Sequence, residues 1–429
     1  MFVLARGILD KMPACDVALL LESSPPHHRK VLWNLTDHDQ HGDILEELNE
    51  DAKDGIIQLM GTESLAAATE GMETDGLAYV LRGIPNDMYR AVLAQMDIQD
   101  RQRVELALAF PEGTAGSIMN TDTITLRSDV SIDVVLRYLR LKGTLPETTD
   151  CLYVVDVENR LIGDVSLSTL LTVEPSSLIN DVMNHKTKAL TALMKENEIA
   201  KLFERHNWIS APVINENKQL LGRITIDDVV DIIREDAEHS MMGMAGMDDD
   251  EDTFAPILPS AKRRTVWLSI NLIAAFIAAS VSNLFEATLE QMATLAVLMT
   301  IVPSMGGIAG NQTLALVIRG LAVGHINSNN ARWLIGKEAA IGILNGMIWA
   351  VLVATAVVLW KDDIRVGFII AGAMFVNLSI AGIAGVSIPL IMHKYKIDPA
   401  LAGGMALATV TDVIGLFTFL GMATLVLQY

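Results

Sequence analysis

Residues 399–427 read PALAGGMALATVTDVIGLFTFLGMATLVL, and Asp412 is the one charge in the run. As a helix the run is long enough to cross roughly 30 Å of hydrocarbon. Burying a carboxylate near its middle costs roughly 2.5–3.5 kcal/mol on insertion scales, so such a residue is read first as part of an ion or proton pathway. The bland alternative is a local hydrogen bond to Thr409 or Thr411, or a pair with a base elsewhere. Four further apolar runs, 265–285, 291–318, 339–360 and 366–392, carry no charge at all, so no other run offers Asp412 a basic partner.

The second run contains Pro303-Ser-Met-Gly306-Gly307-Ile-Ala-Gly310-Asn311-Gln312. Proline removes an N–H, and glycines permit close backbone approach. The pattern predicts an interrupted helix, whose freed carbonyls together with the Asn311 and Gln312 amides suit a hydrated cation. Non-helical backbone at that depth needs protein or water around it. Tight packing through small residues is the competing explanation. Beside Asp412, the pattern favours a cation pore, with Gly306, Gly307, Gly310 and Asn311 as lining candidates. Glu286, in the acidic loop after the first run, joins them.

Loop charge sets the expected orientation. Lys262, Arg263 and Arg264 precede the first run, Arg319, Arg332 and Lys337 follow the second, and Lys394 and Lys396 follow the fourth. Five spans then place the N-terminus inside and the C-terminus outside. The opening MFVLARGILDKM lacks the apolar run of a cleavable signal.

The acids lie elsewhere. The chain has 52 Asp and Glu against 32 Lys and Arg. Residues 266–429 hold seven of each sign, leaving 45 acids against 25 bases before them. An acidic half thus precedes a neutral membrane half, and a single globular domain is excluded. The sign of the charge argues against nucleic acid, which needs clustered bases. No P-loop, nucleophile elbow or HExxH points to an enzyme. Cys15 and Cys151 offer no disulfide framework and read as buried thiols. His27, His28, His38 and His41 lack regular ligand spacing and read as solvated loop residues.

Residues 30–110 show helical apolar spacing. From 118 to 240 there is an internal repeat: Met119-Asn-Thr-Asp-Thr-Ile-Thr-Leu126 recurs as Met183-Asn-His-Lys-Thr-Lys-Ala-Leu190. Each copy runs through a helix to a hairpin, with turns expected at Glu158-Asn159 and Glu216-Asn217. The second hairpin ends Gly222-Arg-Ile-Thr225-Ile-Asp227-Asp228. This resembles the G-h-x-[ST]-x-x-D signature of CBS domains, in which Thr and Asp can hold an adenosine ribose. Gly222, Thr225 and Asp228 are therefore nucleotide candidates, with a purely structural CBS pair as the alternative. Acids crowd the segment 227–252: Asp227, Asp228, Asp231, Glu235, Asp236 and Glu238, then Asp248, Asp249, Asp250, Glu251 and Asp252. Like charges four apart on a helix repel unless a cation intervenes. The position next to the first span suggests a gate.

In this order of parts the chain resembles the MgtE family of magnesium channels and transporters. The resemblance rests on FPEGTAGSIMN at 110–120, the CBS pair, IDDVVDIIREDAE at 226–238, VPSMGGIAGNQTLALVIRGLA at 302–322 and DPALAGGMALATVTDVIGLFTF at 398–419. It implies a homodimer in the lipid bilayer with one shared pore, contact of Asp412 with hydrated Mg²⁺, and Asp228, Asp231 and Asp236 as cytosolic Mg²⁺ sensors, with Asp227 beside them. ATP is a further candidate ligand. Two departures stand out: Ile308 occupies an expected Asn position, and Glu238-His239-Ser240 replaces an acidic stretch. The 248–252 acids are candidate substitutes. The expected fold class is a multi-domain membrane protein: a helical N-terminal domain (1–117), an α/β tandem CBS pair (118–240), an acidic linker or plug helix (241–264) and a five-helix transmembrane domain (265–429).

Overall fold

The computed structural model describes residues 2–70, 72–96, 98–146, 148–247, 253–327 and 330–427. The 248–252 acids lie outside them. Two compact units result: Met1–Asp236 with Asp250–Pro256, and Ala237–Asp249 with Ile257–Tyr429.

The first unit opens with short helices from Phe2–Leu9 to Ile98–Leu108. Their apolar stripes meet in a core around Leu21, Ile44, Leu45, Leu65 and Leu77. Local chemistry sets where helices begin; the Asn49 side chain, for example, accepts the Ala52 N–H at 2.9 Å and caps the helix Glu50–Ile57. His41 departs from the solvated reading. It is 3% exposed, stacks on Trp33 with ring centroids 4.0 Å apart, and shares a hydrogen bond with Thr36. Burial, with His38 beside it, pushes its pKa down to about 4. The cysteines also depart from expectation, Cys15 being exposed and Cys151 half-buried.

The repeat becomes two three-stranded sheets, β1-β2-β3 and β4-β5-β6. Strand β1 (Thr125–Leu126) runs parallel to β2 (Cys151–Val155), which pairs antiparallel with β3 (Leu161–Ser166). Strands β4 (Leu190–Thr191), β5 (Ser210–Ile214) and β6 (Leu220–Thr225) repeat this pattern, including a register shift at the same place. The copies interlock reciprocally. Met119 and Asn120 of the first pack on Gly222 of the second, and Met183 and Asn184 of the second pack on Gly163 of the first. Positive φ falls at Asn159 and Lys218, so the second turn sits one residue later than expected.

The second unit holds five helices long and apolar enough to cross a membrane: Ile257–Asn283, Ala293–Ala322, Ala331–Lys361, Ile364–Lys394 and Pro399–Leu427. We call them spans one to five. The first begins before residue 265 because Lys262, Arg263 and Arg264 continue its first turns. Span two shows the main departure. Its break falls at Met299 and Thr300, between the helices Ala293–Leu298 and Ile301–Ala322, and not at the glycines. Pro303 is the third residue of the second helix, where its missing N–H would lack an intrahelical partner anyway. The glycine carbonyls therefore stay within a continuous helix.

The glycines serve contact between helices instead. A Cβ on Gly306 would overlap the Asn377 amide, and one on Gly310 would lie 2.9 Å from Leu407 Cδ2. Gly342 would meet Leu378 O at 2.8 Å, and Gly382 would meet Glu338 O at 2.7 Å. Spans two to five thus pack through small residues, the arrangement that lipid-embedded helices favour.

Candidate cation sites

Asp412 lies half-buried in span five and takes no hydrogen bond or ion pair from any described residue. The neighbouring threonines are already committed. Thr409 donates to Met405 O at 2.8 Å, and Thr411 to Leu407 O at 3.1 Å and Ala408 O at 3.0 Å. The local hydrogen-bond alternative is thereby removed. Beside Asp412, Thr411 Oγ1 lies 3.9 Å from where a Gly307 Cβ would stand. Gly307 therefore borders the helix face next to the carboxylate, whereas Gly306 and Gly310 are filled by Asn377 and Leu407. Asn311 is exposed one turn beyond Gly307. Ile308 is 55% exposed and supplies no polar group.

Glu286 does not join this group. It opens the short helix Glu286–Gln291, which is tied to span five through Thr288 and Thr424 at 2.7 Å. Thr424 is twelve residues beyond Asp412, or roughly 18 Å along a helix at 1.5 Å per residue. Glu286 belongs to that end of the bundle.

The second constellation lies in the first unit. Asp228 reaches back to Thr225 at the start of the helix Ile226–Met244, its Oδ2 accepting the Thr225 N–H at 2.9 Å and the Thr225 hydroxyl at 3.1 Å. That contact turns Asp228 toward two acids the sequence did not single out, Glu46 and Asp75, from the helices His41–Glu47 and Thr74–Leu81. Glu46 packs directly on Gly76. Burial, then the Asp75 and Asp228 charges, push its pKa up to about 8. Burial raises Asp75 and Asp228 as well, each reinforced by neighbouring carboxylates.

The four expected sensor acids are not brought together. Asp227 accepts the Thr148 hydroxyl at 3.4 Å, and Asp231 pairs with Arg234 at 3.3 Å, which relieves part of the expected repulsion. Asp236 lies two turns beyond Asp228 on the same helix. Among the described residues no three His, Cys, Asp or Glu side chains converge to hold a bare ion. The nucleotide candidates are also engaged. Gly222 is covered by Asn120 O, and Thr225 and Asp228 bond each other.

Farther along the same helix, His239 Nε2 lies 2.5 Å from Asp398 Oδ2. Asp398 in turn accepts the Ala400 N–H at 2.7 Å and caps span five. The departure at 238–240 thus supplies a partner for an acid at the start of the span that carries Asp412.

Fold and site together define a membrane-spanning protein with an unpaired carboxylate in its last span, preceded by a CBS pair and an acidic helical domain. Comparison with known proteins agrees. The divalent cation transporter model matches residues 299–422, the MgtE intracellular N domain matches 12–113, and CBS domains match 115–176 and 179–235. The magnesium transporter MgtE of Bacillus subtilis (strain 168) is 30% identical over 421 residues, covering 98% of this chain and 93% of that protein. Its counterpart from Thermus thermophilus is 26% identical over 428 residues, covering 99% and 95%. A crystal structure of the cytosolic domain of the Mg²⁺ channel MgtE in complex with ATP covers 53% of this chain and 93% of that one, at 26% identity and a TM-score of 0.49. The chain belongs to the MgtE family.

Proposed function

We propose that this protein conducts Mg²⁺ across the cell membrane as a homodimer, with its N-terminal half in the cytosol and its C-terminus outside. The observation that carries the reading is Asp412, a carboxylate within a span that no described residue satisfies. Mg²⁺ takes hard oxygen ligands and gives up its waters reluctantly. Two symmetry-related Asp412 carboxylates would hold the hydrated ion through those waters, with Gly307 and Asn311 beside them. Gly306 and Gly310 act by letting helices approach. The membrane potential, worth roughly 2.3 kcal/mol per charge per 100 mV, drives entry without a pump.

Gating arises from the crowded acids. With Mg²⁺ absent, Glu46, Asp75 and Asp228 resist being held together unless protonated. With cytosolic Mg²⁺ present, the ion neutralises them and stabilises the contact of the 1–117 domain with the 118–240 pair. The helix Ile226–Met244 carries Asp228 near one end and His239 near the other, so it provides a physical connection toward span five. Asp227, Asp231 and Asp236 contribute to the same acidic surface. The ion shifts this equilibrium only as far as it prefers the closed state. ATP would bind through Thr225 and Asp228 only by replacing their mutual bonds.

The test is flux in liposomes holding the full chain, with Mg²⁺ varied on the cytosolic side. Combined Glu46→Gln, Asp75→Asn and Asp228→Asn should abolish closure by cytosolic Mg²⁺. Normal closure in that variant would overturn the gating reading and leave the pore assignment standing.

A further inference from the structure

A second acid lies inside the membrane unit, away from Asp412. Glu338 is two turns into span three and only 4% exposed. Its backbone carbonyl packs on Gly382 of span four, and its Oε2 accepts the Thr313 hydroxyl of span two at 3.2 Å. It therefore sits where three spans meet. Its Oε1 has no hydrogen-bond donor. Lys337 Nζ approaches that oxygen at 3.2 Å as a charge contact, without the alignment of a hydrogen bond.

A cavity of about 230 Å³ opens beside this carboxylate, lined also by Gln312, Thr313, Lys337 and Asn345. At roughly 30 Å³ per water it has room for about seven waters. That is enough for a divalent ion with its first hydration shell. Every polar group on its wall except Lys337 offers an oxygen, and oxygens are the ligands such ions take. The cavity lies on the part of span two that leads to Arg319 and the part of span three just beyond Arg332, the basic end of both helices.

We propose that this cavity is a second, outer-sphere site for hydrated Mg²⁺, with Glu338 as its anchor. The inference rests on the transport reading for its choice of cation. Lys337 is the resident counter-charge. Its side chain is 41% exposed against 5% for Glu338, so it can swing toward water when the ion arrives while the carboxylate stays fixed. Ion and ammonium compete for one oxygen, which keeps the site weak and exchangeable. A structural pair alone would leave that buried carboxylate oxygen without a hydrogen-bond donor.

The two variants pull in opposite directions. Glu338→Gln keeps shape and an acceptor for Thr313 but removes the charge. Lys337→Met removes the competing charge, and divalent affinity should rise on the order of tenfold. Crystals of the full chain grown over a series of Mn²⁺ concentrations, read by anomalous scattering, locate the ion directly. The expected result is a peak beside Glu338 that fills at about tenfold lower Mn²⁺ in Lys337→Met and vanishes in Glu338→Gln. Three results overturn the proposal: no peak in either the wild type or Lys337→Met, a peak that survives Glu338→Gln, or an aminophospholipid headgroup in the cavity. Should Glu338→Gln fail to fold, the shift in Lys337→Met decides the matter. This readout does not depend on flux, so a protein that failed to transport would still answer it.

Discussion

Glu46→Gln isolates the electrostatic cost that the gating reading requires. The Glu46 carboxyl ordinarily ionises near 4.5, and in the folded chain burial and the Asp75 and Asp228 charges push this up to about 8. An acid whose folded pKa is raised favours the compact state at low pH, and that advantage is lost as pH climbs from about 4.5 toward 8. Glu46 keeps more than a third of its surface in water, so solvent screening cuts the unfavourable contribution at pH 7 to about 1 kcal/mol, well below what 1.36 kcal/mol per pH step over the full shift would give. A neutral, near-isosteric amide removes it. Backbone amides of the helix Thr74–Leu81 report on the contact by hydrogen exchange in the Mg²⁺-free full chain at pH 7. Opening in Glu46→Gln should be suppressed roughly fivefold to tenfold relative to the wild type. Wild type should approach the same protection at pH 5, or at pH 7 with Mg²⁺. Unchanged exchange in the variant, with a wild type insensitive to pH once intrinsic rates are corrected, would refute the electrostatic strain.

The same geometry sets three other outcomes. Because Glu46 is mostly protonated at pH 7, Mg²⁺ binding to the acids should release on the order of one proton per protomer, measurable by pH-stat titration, and apparent affinity should rise with pH up to about 8. Gly306→Ala places a methyl group against the Asn377 amide and should cost roughly 1–3 kcal/mol in the membrane unit, seen as a lower midpoint of thermal unfolding in detergent. Thr225→Ala removes one of the two bonds that Asp228 Oδ2 accepts and should cost about 1 kcal/mol. Because the two copies interlock, the CBS pair as a whole should then unfold at lower denaturant.

The parts of the fold with strong periodicity were legible. Five apolar runs, a repeated Met-Asn segment and two alternating hairpins each carry their pattern within a short window. What escaped depends on contacts between distant segments. Glu46 and Asp75 sit on short helices whose charges look like solvated faces, and only folding turns them toward Asp228. Glu338 stays hidden in the sequence because an apolar window starts after its last charge, whereas the helix has already begun at Ala331. Pro303 and its glycines suggest a broken helix. The break comes four residues earlier because proline fits a helix's first turn without losing a bond. Asp412 is the exception: a lone charge in 29 apolar-rich residues needs no tertiary context to stand out.

Mg²⁺ uptake into liposomes, at fixed membrane potential and without cytosolic Mg²⁺, tests the central claim most directly when the wild type is set beside Asp412→Ala. The account predicts potential-driven uptake in the wild type, independent of any pH gradient, and loss of that uptake in the variant. Uptake at wild-type rate in Asp412→Ala would contradict it.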